Sequence, residues 1–95
     1  MDDKILTLHP QGKQGVAIGR AKYDAVRAAI VAALQEQNGM TFGELAEAVT
    51  QRLAGRFEGS ISWYVTTVKL DLEARGVVAR VPRTRPQRVV LTGAG

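Results

Sequence analysis

The stretch VVARVPRTRPQRVVLT (77–92) decides how the chain is read. Two β-branched runs, VVARV and RVVLT, flank PRTRPQ, and proline suits a loop or a strand edge but breaks ladder bonds inside a sheet. The pattern predicts a β-hairpin over 77–92, with a loop of six residues or slightly more. Arginines stand at its tip and on its strands. Alternation sets Arg80 opposite Val81 and Arg88 opposite Val89, so Val81 and Val89 are expected to face the domain.

Upstream of the hairpin the period is helical. Ser60 is a good N-cap for a helix ending at Gly76. Ile61, Val65, Val68 and Leu72 fall in a narrow arc at 100° per residue, with Tyr64 at its edge. The opposite side carries Trp63, Thr67, Leu70 and Ala74, with Ser62, Thr66, Lys69 and Glu73 between. Trp63 and Leu70, turned away from the core, need a partner: an N-terminal arm, a second subunit or a ligand. The link GRFEG (55–59) is expected to plug the core with Phe57. Before it, Thr41-Phe-Gly-Glu44 is a capping box, with Met40 and Leu45 at hydrophobic-staple positions. Phe42, Leu45, Val49 and Leu53 form the expected buried stripe of that helix, and Gly55 ends it. A first helix runs from Arg20 to Gln37 on Tyr23, Val26, Ile30, Ala33 and Leu34, and Asn38-Gly39 stops it. Ahead of Arg20 lies an arm, residues 1–19, in which ILTL and VAI flank HPQGKQG (9–15). Each run fits a brief strand, and their pairing is open.

Three helices followed by a two-stranded hairpin is the order of a winged helix-turn-helix domain, here over 20–95 of a single-domain chain. The expected class is mainly α with a small β-hairpin (α+β). The third helix would be the recognition helix and the hairpin the wing. VAI (16–18) would supply a small strand beside the wing, although many winged domains place that strand after the first helix. The strings GKQGVAI, AKYDAVRAAI and TFGELAEAV, and above all FEGSISWYV and VKLDLEARG, resemble a family of small bacterial proteins of unknown function expected to be winged helices. That resemblance implies a fold and no activity. GRFEG is longer than the tight turn of many DNA-binding helix-turn-helix units.

Composition narrows the function classes. Ninety-five residues at 45% apolar content suffice for one core without metal or disulfide support, and there is no cysteine. The acidic start with a four-residue apolar run is neither a signal peptide nor a membrane span, so a cytoplasmic protein without membrane contact is expected. Residues 1–74 hold eight Lys/Arg against nine Asp/Glu, whereas 75–95 hold five arginines and no acid. All the excess positive charge therefore sits at the C-terminal end, which suggests an anionic partner.

Catalysis has little support. The only histidine is His9, beside Pro10; Ser60 is explained as a cap; and Ser62 has no sequence-local base. GKQG lacks the frame of a phosphate loop, and no metal-ligand spacing is present. Asp24, Glu36, Glu44, Glu47, Asp71 and Glu73 fit exposed helix faces, with Asp71–Arg75 and Lys69–Glu73 spaced as i,i+4 pairs. No enzyme, cofactor or metal is expected.

DNA is the expected partner, with Arg80, Arg83, Arg85 and Arg88 of the wing on phosphates or a minor-groove edge. Ser62, Trp63, Thr66, Thr67 and Lys69 lie in the half of the third helix that normally reads base edges. Without Arg, Asn or Gln among them, strong base-specific reading is not expected. If all five C-terminal arginines met phosphates, the salt slope would reach about −4.5. The competing class is a protein-interaction module, a homodimer or a protein partner on the Trp63/Leu70 face.

Overall fold

The three helices stand where the periodicities place them in a computed structural model, which describes residues 3–12, 15–55, 57–83 and 85–92. The first two residues, the GKQG turn at Lys13 and Gln14, the link at Arg56, the hairpin tip at Thr84 and the closing GAG lie outside the described residues. Helix α1 (Arg20–Glu36) buries Tyr23, Val26, Ala29, Ile30, Ala33 and Leu34 on one face. It stops before Gly39, whose φ of 86° is one that side chains disfavour.

Helix α2 (Phe42–Leu53) starts on the expected capping box. Thr41 Oγ1 accepts from the Glu44 amide at 3.2 Å, and Glu44 Oε1 accepts from the Thr41 amide at 2.9 Å. Two orphan amides are thereby satisfied. The same Thr41 amide is the main cause that holds the Glu44 carboxyl below the usual carboxylate range. Helix α3 (Ile61–Ala74) is capped by Ser60, whose Oγ accepts from the Trp63 amide at 3.3 Å.

Val26, Ile30, Leu34, Leu45, Val49, Val65, Val68 and Leu72 form the centre of the core, essentially without solvent exposure. Each contributes on the order of 1.5–3 kcal/mol by leaving water. Phe42 departs from its expected place. It is 37% exposed, with the Lys69 ammonium 5.8 Å from its ring, because it opens α2 beyond the edge of the core.

Strands β4 (Val78–Arg80) and β5 (Arg88–Leu91) pair antiparallel, and the Val81 amide donates to Arg88 O at 2.9 Å, leaving 82–87 as the loop. A two-stranded hairpin was expected here, and the sheet has a third strand. Strand β3 (Met40–Thr41) pairs with β5, giving the order β3-β5-β4. The physical reason is local: an N-cap residue is extended, and Thr41 at φ −68°, ψ 163° lies along β5 before α2 begins. The architecture is α+β, three helices with small antiparallel sheets.

The VAI run does not join that sheet. Strand β2 (Ala17–Gly19) pairs with β1 (Lys4–Leu6), Ile5 opposite Ile18, and Ile18 enters the helical core. Where this hairpin continues toward its loop, the Thr7 amide donates to Val16 O at 2.9 Å. The Thr7 hydroxyl both donates to Val16 O and accepts from the Val16 amide, each at 3.0 Å. Gly15 is required there, since a Cβ would lie inside the van der Waals shell of the Thr7 carbonyl oxygen. No helix among the described residues is long and apolar enough to cross a membrane.

Candidate nucleic-acid interface

Asp71 is the largest departure from the sequence expectation. Expected on an exposed face, it is fully buried. Its Oδ1 accepts from the Leu8 amide at 2.9 Å, its Oδ2 accepts from the Tyr23 hydroxyl, and Arg75 Nε reaches both oxygens at 3.0 and 2.9 Å. A buried carboxylate needs such a set of donors to offset its lost hydration. Burial pushes the Tyr23 phenol up, and the Asp71 carboxylate it donates to adds to the shift. Arg75 is raised too, chiefly by its bond to Asp71. The sequence signal was angular: Asp71 borders the apolar arc, one residue before Leu72.

Through Leu8 this carboxylate lays the N-terminal hairpin along α3. Thr7, Leu8, His9, Gly15 and Val16 face Thr67 and Leu70 across a small cavity of 120 Å³. Further along, Pro10 and Gln11 line a groove with Glu73, Ala79 and Arg80. The arm therefore accounts for Leu70, which is half-buried, as one of the expected partners. It does not account for Trp63, which stays 46% exposed.

The arginines divide by register. Arg80 is opposite Val89, whose side chain is buried, so Arg80 shares the inner face of the sheet rather than the outer one. From there it reaches Glu73 on α3 with two bonds of 2.8 and 3.3 Å, and that carboxylate holds its guanidinium above the usual arginine value. Glu73, whose side chain is only 6% exposed, also pairs with Lys69 at 3.7 Å, so neither Asp71 nor Glu73 is a solvated helix acid. Arg88 lies opposite Thr41, donates to Gly39 O at 2.9 Å and stands 3.5 Å from Glu44. Arg83 and Arg85 are exposed on the loop, and Arg83 has a φ of 66°. Thus two of the four expected phosphate contacts are committed to the protein's own acids, and two face solvent.

On α3, Ser62 and Thr66 are exposed, and the Thr66 hydroxyl donates back to Ser62 O at 3.0 Å. Thr67 faces the arm and Lys69 faces Glu73 and Phe42. Trp63 packs edge-on against Tyr64, centroids 5.0 Å apart at 83°, and Tyr64 packs likewise on Phe57 at 5.0 Å and 80°. Phe57 is half-buried against the core, as its place in the link predicts. The Lys22 ammonium lies 5.4 Å from the Tyr64 centroid and 5.7 Å from that of Phe57. Sequence reading missed this cluster because Lys22, Phe57 and Tyr64 come from three separate segments. His9 Nδ1 accepts from the Gln11 amide at 3.1 Å within its own turn, and no group of three metal-ligating side chains occurs among the described residues.

The chain belongs to a family of unknown function, DUF6958, whose model matches residues 4–89. The match takes in the N-terminal hairpin, all three helices, β4 and the first two residues of β5. No curated protein and no solved structure matches the chain.

Proposed function

For this member of the family, we propose a winged-helix domain that binds nucleic acid by gripping phosphates. The observation that carries the reading is the sheet order. A strand between the first two helices joins the C-terminal hairpin, the place where many winged domains have it, and the loop of that hairpin bears two exposed arginines. Guanidinium groups on an exposed loop suit phosphate oxygens. Arg83 and Arg85 are the gripping residues, with Ser62, Trp63 and Thr66 on the open start of α3 as further candidate contacts. Arg80 and Arg88 brace the wing from below, through Glu73 and Glu44. Transcriptional regulation is the process such a domain suits, and no catalytic step is part of the reading.

Two contacts limit the electrostatic contribution. At about 0.9 per phosphate neutralised, Arg83 and Arg85 give a salt slope near −1.8, well under the −4.5 available to five arginines. Binding of this kind is weak and insensitive to sequence. Fluorescence anisotropy with a labelled generic duplex at low and moderate salt is the test. Binding at low salt that weakens as salt rises, and whose slope collapses in Arg83→Ala/Arg85→Ala, is the expected result. The double variant should keep its stability within about 0.5 kcal/mol, as surface substitutions do. Absence of binding at low salt, to the duplex and to a single strand of equal length alike, would refute the proposal.

A further inference from the structure

We infer that Trp63 is a stacking platform for an unpaired nucleobase, so that the preferred ligand is single-stranded nucleic acid. This rests on the nucleic-acid reading above and names the form of the ligand.

The first ground is what the arm denies to a duplex. A recognition helix enters the major groove along its outer face. Here the N-terminal hairpin lines a small cavity with Thr67 and Leu70, and Pro10 and Gln11 flank one groove with Glu73 and Arg80. Only Ser62, Trp63 and Thr66, at the start of α3, are left open. None of them carries the bidentate donors that read paired base edges.

The second ground is what the open end does present. An indole, 46% exposed, is held at a fixed angle by Tyr64, which is itself braced by Phe57. A pre-oriented ring loses little entropy when a flat ligand settles on it. Every base has a π-face, and stacking on aromatic side chains is the sequence-tolerant way of holding a single strand.

The third ground is charge. Tyr64 is also a wall of an open groove of 620 Å³, lined by Lys4, Arg20 and Lys22 together with Asp3 and Asp24. Asp3 is paired with Arg20 at 2.7 Å, which leaves Lys4 and Lys22 against Asp24, a net charge of +1 in the groove. Lys22, lying over Tyr64, sits one ring away from the indole. Cations beside an aromatic platform fit a base with its phosphate.

Trp63 is the only tryptophan, so its own emission reports on the site. The experiment titrates the full chain with a labelled oligothymidylate of about a dozen nucleotides, a length within the range of single-strand sites, and with a duplex of equal length. Expected are quenching of Trp63 emission by the single strand and binding about tenfold tighter than to the duplex. Trp63→Ala should lose about tenfold in single-strand affinity, while Trp63→Phe, which keeps a ring, should stay within about threefold of the parent. Far-UV circular dichroism of both variants checks the fold. Equal affinity for both forms with unchanged Trp63 emission would overturn the inference and leave the phosphate grip standing. Failure to bind either form would overturn both. Light scattering that shows a dimer dissolved by Trp63→Ala would assign the indole to a second copy and also overturn it.

Discussion

The N-terminal hairpin and the C-terminal hairpin are both short antiparallel pairs that pack on the domain, yet one is anchored on a buried carboxylate and the other by sheet pairing and a surface-reaching arginine. β1–β2 continues into Thr7 and Leu8, whose polar groups are taken up by Val16 and by the buried Asp71. β4–β5 is bound by β3 on one side and by Arg80 to Glu73, whereas Pro82, Arg83, Arg85, Pro86 and Gln87 of its loop are exposed. The difference teaches that a charged loop and a buried ionic anchor are separate devices. Arginines at a tip cost little and remain available to a ligand. A buried carboxylate is costly unless each donor around it is kept in place.

The largest expected effect falls on the anchor. Asp71→Ala strands the Tyr23 hydroxyl and the Leu8 amide, and should cost about 3 kcal/mol in urea unfolding followed by far-UV circular dichroism. A loss under about 1 kcal/mol would erase the distinction between the two hairpins. Gly15→Ala comes next. Its new methyl group must displace the Thr7 carbonyl, at a cost of about 2 kcal/mol. Amide exchange should then accelerate at Thr7, Leu8 and Val16 while β4 and β5 keep their protection. Uniform acceleration would mean that the hairpins open together.

The smallest effect is one of pH. Tyr23 holds its proton in the folded state to higher pH than it does in the unfolded chain. Stability from this group is therefore full below pH about 10 and is lost as pH rises through the folded value. Urea midpoints taken at rising alkaline pH should fall more steeply for the parent than for Tyr23→Phe. Parallel curves would remove Tyr23 from the network.

Much of this molecule is legible in one dimension. Helix periodicity, the Thr41–Glu44 capping box, the Ser60 cap and the stop at Asn38-Gly39 depend on residues within a few positions of one another. The loop of the C-terminal hairpin, with its two prolines, is equally local. So is the concentration of arginine after residue 74. Strand partners depend instead on which extended segments meet, and only the tertiary structure decided that β2 pairs with β1 and that β3 completes the C-terminal sheet. Register had the same status. A one-residue difference in facing decides whether Arg80 points to solvent or to Glu73, and alternation within one strand is silent about the other. The i,i+4 spacing of Asp71 and Arg75 was visible, but burial of the pair depends on Tyr23, 48 residues before Asp71, and Leu8, 63 residues before it. What the sequence determined by itself was the set of elements and the charge each carries, because backbone and side-chain preferences act over a turn or two. Which charges are paired inside the protein and which stay exposed was decided only by packing, because pairing energy depends on distance in space and not along the chain.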